Sequence, residues 1–114
     1  MTYEDLVRHL EAIGYTVEQV TGQDGQSYLV IRSYRITVGS LAGQTCDVAI
    51  QRMPAVPFVL PPAIQTRPAL IPMGSRNTQA SGVGSEWQYW SRVLRVPPTP
   101  EAIVTHIATI FGEV

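Results

Sequence analysis

The chain has 114 residues, 45% of them hydrophobic and 15% charged, with a formal net charge of −1. That length suits one domain, residues 1–114, with one core, and the apolar fraction excludes a disordered chain. The eight basic residues are scattered rather than gathered into the stripe that nucleic acid needs, and no apolar run reaches the roughly 18 residues of a membrane span, so neither is an expected partner.

In chain order, Tyr3, Leu6, Val7, Leu10 and Ile13 recur at helical spacing, which predicts an amphipathic helix over residues 3–13. Thr2 is placed as its N-cap, Asp5 favours the helix start, and Gly14 stops it. Glu4, Asp5, Arg8 and His9 interrupt this region, so it lacks the apolar stretch of a signal peptide. The single cysteine, Cys46, cannot form an internal disulfide. Both features fit a reducing cytoplasm.

Tyr15, Val17 and Val20 among polar neighbours predict a strand over 15–21, and Gln23-Asp24-Gly25 supplies a turn. Residues 27–38 are rich in strand formers, enough for one long bent strand or two short ones. Residues 44–52 alternate, with Cys46, Val48 and Ile50 on one face and Thr45, Asp47 and Gln51 on the other, as a strand with one buried side does. Short turns between these strands imply an antiparallel meander of four.

Pro54, Pro57, Pro61, Pro62, Pro68 and Pro72 then argue against helix or central strand, so this stretch is expected to lie extended against the core, pinned by Phe58, Val59, Leu60 and Ile64. Residues 74–85 read as a flexible surface loop. At the end, Thr99 as N-cap, Pro100 in the first turn, Glu101 on the dipole and the stripe Ile103, Ile107, Ile110, Phe111 predict a helix that Gly112 stops.

Chemistry is sparse. His9, His106 and Cys46 fall on different elements with no metal-ligand spacing, so neither metal nor other cofactor is expected. Cys46 alternates with Val48 and Ile50, which makes it a buried, inert thiol rather than a nucleophile. No nucleophile elbow is present, and Gly82-Val83-Gly84 lacks the lysine of a phosphate loop. His106 reads as a boundary residue packing its ring, and His9 as solvated. The densest aromatic patch is Trp87-Gln88-Tyr89-Trp90-Ser91-Arg92. Large rings in a small domain usually serve the core, yet aromatics also mark binding hot spots. Trp87, Tyr89, Trp90 and Arg92 are therefore the candidate partner-binding residues, with Arg92 able to pair with a carboxylate or stack on a ring.

The order helix, meander, proline-rich stretch, loop, tryptophan and helix resembles the ubiquitin-conjugating-enzyme (UBC-like) family over most of the chain. In that family the third strand runs into Tyr-Pro-x-x-Pro-Pro. Here Val56-Pro57-Phe58-Val59-Leu60-Pro61-Pro62-Ala63-Ile64 keeps Pro57, the double proline Pro61-Pro62 and the following Ile64. Val56 stands where the family has tyrosine, and the spacing is one residue longer. The family's active cysteine follows a His-Pro-Asn triplet and precedes a tryptophan, but residues 65–90 hold neither cysteine nor histidine, and Ile71-Pro72-Met73 is the nearest remnant. Thioester chemistry needs a sulfur nucleophile. The resemblance thus implies an α+β, UBC-like fold without catalytic residues. It implies a binding module, similar to divergent UBC-like proteins of bacterial ubiquitin-like conjugation systems, whose partner is a ubiquitin-like protein or a conjugation enzyme. The alternatives are a small enzyme with a site near Cys46 and a dimeric structural or chaperone-like protein joined through the first helix or an edge strand.

Overall fold

A computed structural model describes residues 2–53, 62–93 and 99–114. Helix α1 spans Tyr3–Ala12. Its start is fixed by a reciprocal cap, in which Asp5 N–H donates to Thr2 Oγ1 at 3.1 Å and Thr2 N–H donates to Asp5 Oδ2 at 2.9 Å. Six strands follow among the described residues: β1 (Thr16–Thr21), β2 (Ser27–Arg35), β3 (Thr45–Gln51), β4 (Ala63–Arg67), β5 (Thr78–Ala80) and β6 (Gln88–Ser91). Helix α2 (Pro100–Gly112) begins where Thr99 Oγ1 accepts from Ala102 N–H at 3.2 Å.

The strands form one antiparallel sheet in the order β1-β2-β3-β4-β6-β5. The fold is therefore α+β with a helix at either end, as expected, but the sheet has six strands rather than four. Strands β4, β5 and β6 all lie beyond the expected meander of residues 15–52, while residues 27–35 form one strand rather than two. Pro62 and Pro68 bracket β4 without lying inside it, so all five of its residues keep the N–H that an interior strand needs. The stretch expected to be only extended thus contributes a strand between β3 and β6. The expected loop at 74–85 contains a 3-10 turn at Ser75–Asn77 and then β5, which pairs with β6 as the sheet edge. Pro57 and Pro61 lie outside the described residues.

Both helices pack on one face of the sheet. Leu6 and Leu10 of α1 and Ile103, Ile107, Ile110 and Phe111 of α2 are buried there, against Leu29, Ile31, Val48, Ile50 and Trp90. Each such side chain contributes about 1.5–3 kcal/mol of transfer free energy, which makes this layer the main source of stability. Gln88, fully buried on the same face, behaves like a piece of backbone. Its Oε1 accepts from Leu70 N–H at 3.0 Å and its Nε2 donates to Ile71 O at 2.9 Å, which ties the segment after β4 to the sheet.

The other face is only partly covered. Tyr28, Val30, Ala49, Val83 and Trp87 make a smaller apolar cluster there. The turn between β1 and β2 closes over it, with Gln23 N–H donating to Val83 O and Asp24 N–H to Gly82 O, both at 3.0 Å. Asp24 Oδ2 in turn accepts from the Tyr28 hydroxyl at 2.5 Å. The two segments approach so closely that a Cβ on Gly82 would meet the Asp24 carboxylate, so a larger residue here would push that side chain away from the Tyr28 hydroxyl.

Candidate functional site

The open face carries a ribbon of alternating charge that crosses four strands. A bulge creates it. Between Ile31 and Tyr34 the β2–β3 register shifts, so that Arg32 and Ser33 together oppose Asp47, with Ser33 at φ 53°. This geometry explains why residues 27–35 form one bent strand. It also aims Ser33 N–H at Asp47 Oδ1, 3.0 Å away. Arg32 Nη1 donates to Asp47 Oδ2 at 3.0 Å, and Arg32 Nη2 pairs with Glu18 on β1. From the other side, the β3–β4 register sets Arg67 directly across from Asp47. Arg67 Nε and Nη2 donate to Asp47 Oδ2 at 3.1 and 2.7 Å. The remaining nitrogen, Nη1, lies 3.9 Å from Glu86 Oε2, beyond hydrogen-bond range.

Burial raises the pKa of Asp47, but hydrogen bonds from Arg67, Ser33 N–H and Arg32 more than reverse this and hold the carboxyl below its ordinary value. One carboxylate thus orients two guanidinium groups. The Arg67 guanidinium lies 4.7 Å over the Trp87 ring, a cation–π contact. Beside it opens a cleft of about 370 Å³, walled by Val20, Val83, Trp87, Arg32, Arg67 and Glu86, with Gln23, Gly84 and Ser85 completing the rim.

The aromatic run predicted to bind a partner is divided by strand alternation. Trp87 belongs to the open face, although its ring is only 6% exposed because Arg67 and Val83 cover it. Tyr89 is half-buried on the same face, opposite Gln65, and outside the cleft. Trp90 points the other way and is fully buried. Its ring meets Phe111 edge-on at 5.7 Å, and Nε1 donates to Thr66 Oγ1 at 3.0 Å. Arg92 both pairs and stacks, through Nε to Glu113 Oε2 at 2.9 Å and 5.7 Å over Trp90, fastening α2 to β6. Pro62 is exposed, and its carbonyl accepts from Arg92 N–H at 2.7 Å. Of the four residues named from sequence, only Trp87 reaches the cleft.

Arg32, Asp47, Arg67 and Glu86 carried no local signal. Alternation along β3 puts Asp47 on the polar face, but its pairing with Arg67 depends on a strand hidden between prolines.

Cys46 is buried beneath the helices at 4% exposure. Burial, with Asp47 next in sequence adding to it, pushes the thiol up to about 12. At pH 8 roughly one thiol in ten thousand is ionised, far from the thiolate a nucleophile requires. Native-state labelling with a disulfide reagent should therefore be orders of magnitude slower than labelling in denaturant. Equal rates would show that the thiol is open to solvent.

The two histidines both lie on helices. His9 Nδ1 lies 3.7 Å from Glu101 Oε1 at the start of α2, so it faces the neighbouring helix rather than open water. His106 is half-buried, and desolvation lowers its pKa. Among the described residues, no group of three or more His, Cys, Asp or Glu side chains converges as a metal site would need, and no helix is long and apolar enough to cross a membrane. Comparison of the chain with protein-family models, with curated proteins and with solved structures finds no match in any of the three.

Proposed function

We propose that this chain is a non-catalytic, UBC-like binding domain that recognises a ubiquitin-like protein or another protein of a conjugation pathway through the open face of its sheet. The observation that carries the reading is the cleft itself. Arg67 is held by two hydrogen bonds to Asp47 and stacked on a tryptophan, and its remaining terminal nitrogen meets Glu86 at 3.9 Å in a loose ion pair. An arginine pre-oriented over an aromatic ring in the wall of a concavity is a usual anchor of protein recognition. Element order supports the UBC-like part of the reading, since a leading helix, the β1–β4 antiparallel neighbours and a closing helix occur in the family's sequence. An enzyme built around Cys46 is disfavoured by the depth and raised pKa of that thiol.

The test is calorimetric titration of the chain with ubiquitin-like proteins and activating enzymes from the same genome. At least one should bind, and Arg67→Ala should weaken it roughly tenfold or more, the equivalent of about 1.4 kcal/mol. Arg92→Ala, altered on the helix face, should bind like the parent. Failure of every candidate to bind, or equal loss from both variants, would overturn the assignment.

A further inference from the structure

We propose that the exposed edge strand β1 joins a second copy of this chain, the two β1 strands pairing antiparallel about a twofold axis at Gln19 and merging the two sheets into one. The inference goes beyond the reading of the open-face cleft and does not depend on it.

Two hydrogen bonds fix the direction of the backbone groups. Gly22 N–H donates to Gln26 O, and Arg52 N–H donates to Ser27 O, both at 2.8 Å. Bonded and unbonded pairs alternate along an antiparallel ladder, and the register sets Val20 against Tyr28, Glu18 against Val30 and Thr16 against Arg32. Thr16, Glu18 and Val20 therefore bond to β2, while the N–H and C=O groups of Val17, Gln19 and Thr21 point away from the sheet. β1 ends the strand order, none of its residues is buried, and among the described residues these outward groups have no backbone partner.

This edge lacks the usual protection. Natural edge strands are guarded by lysine, proline, a bulge or shortness. The opposite edge, β5, has only three residues. β1 has six, Thr-Val-Glu-Gln-Val-Thr, with no lysine or proline and an unbroken register with β2. Its one charged side chain, Glu18, is already paired with Arg32.

A twofold axis perpendicular to the sheet sets one residue of β1 against itself. With Gln19 on the axis, Val17 meets Thr21 of the second copy and Gln19 meets Gln19, so every outward N–H and C=O finds a partner. With Glu18 on the axis, Thr21 would need Tyr15, whose N–H is committed to Leu10 O, and two carboxylates would stand directly opposed. With Val20 on the axis, Val17 would need Gln23, whose N–H is committed to Val83 O. Moving the axis further either way leaves more groups unpaired.

The side chains agree with the Gln19 centre. Gln19 Nε2 donates to Ser27 Oγ at 2.9 Å, which leaves its second proton and its Oε1 for the other Gln19. Glu18 lies opposite Val20 of the second copy and lays its methylenes on that half-buried side chain. The two Glu18 carboxylates stand on a diagonal, about 7–8 Å apart in standard sheet geometry, each beside its own Arg32. A strand that is its own complement selects a second copy over an unrelated strand.

The experiment is sedimentation of the full chain from about 10 μM to about 1 mM, the span across which a micromolar dissociation constant turns monomer into dimer. The parent should dimerise over this range. Gln19→Lys and Gln19→Glu place like charges on the axis, and each should weaken the dimer roughly fivefold or more. Both alter an exposed side chain, so their thermal melts at low concentration should match the parent's. An equimolar mixture of the two variants brings lysine against glutamate and should associate more tightly than either variant alone. A parent that stays monomeric throughout the range overturns the proposal. So does a dimer that Gln19→Lys leaves intact, or a mixture that associates no better than its components. A monomer that binds a ubiquitin-like protein defeats this inference alone, and a dimer that binds none defeats the functional reading alone.

Discussion

Replacing Trp90 with alanine should cost about 3–5 kcal/mol, the range for deleting a buried aromatic ring. The ring is 0% exposed, lies edge-on to Phe111 and donates to Thr66 Oγ1. Truncation leaves a cavity between β6 and α2, and Thr66 loses its buried donor. Against a total stability of about 5–15 kcal/mol for a domain of this size, that loss unfolds a large share of the molecules at physiological temperature. Trp90→Phe separates the two contributions, because it keeps a ring against Phe111 and removes the indole N–H, and about 1–3 kcal/mol is expected. Arg92→Ala sits two residues away and removes a pair whose Glu113 side is half exposed, so about 1 kcal/mol or less is expected. Urea unfolding of the three variants measures the order. A Trp90→Ala loss no larger than that of Arg92→Ala would mean that the ring does not anchor the core.

This contrast shows where the sequence was readable. Periodicity was sufficient wherever one element decides its own burial. Leu6 and Leu10 recur at helical spacing and are buried. Cys46, Val48 and Ile50 alternate and face the helices. Thr99 and Pro100 begin α2 at the expected place. Periodicity failed where a neighbour decides. Ala63–Arg67 is too short and too closely flanked by prolines to announce itself, and only pairing with β3 and β6 makes it a strand. Sequence adjacency makes the aromatic run read as one patch, whereas a strand sends successive residues to opposite faces. Trp87 and Trp90 therefore end up on different sides of the sheet. The site was hidden for a further reason. Asp47 and Arg67 are twenty residues apart in the chain, and their contact depends on the β3–β4 register, while Arg32 joins them only through a bulge whose Ser33 has no glycine to mark it.

Asp47→Ala should be the most damaging change on the open face, at about 2–3 kcal/mol, since it removes hydrogen bonds to charged partners and leaves two guanidinium groups facing each other. Their side chains are each 33% exposed, so water relieves part of the repulsion and the loss belongs at the lower end of that range. The pH dependence has a definite sign. The folded pKa of Asp47 lies below the ordinary carboxylate value of 3.8, so the unfolded state takes up the proton first on acidification. The stabilisation is therefore fully present above the unfolded value and is lost as pH falls below 3.8 through the folded one. The stability gap between the parent and Asp47→Ala should be constant from pH 7 to about pH 5 and should narrow on further acidification. Asp5, also held below 3.8 by its contacts with Thr2 and Arg8, is present in both proteins and cancels in the difference. A gap that does not close in acid would remove the carboxylate from this role. Asp47 is also what holds Arg67 over Trp87. Asp47→Ala should therefore weaken partner binding at pH 7 even under conditions where the variant remains folded, and Asp47→Asn, which keeps an acceptor for Ser33 N–H but not the charge, should restore stability more fully than it restores binding.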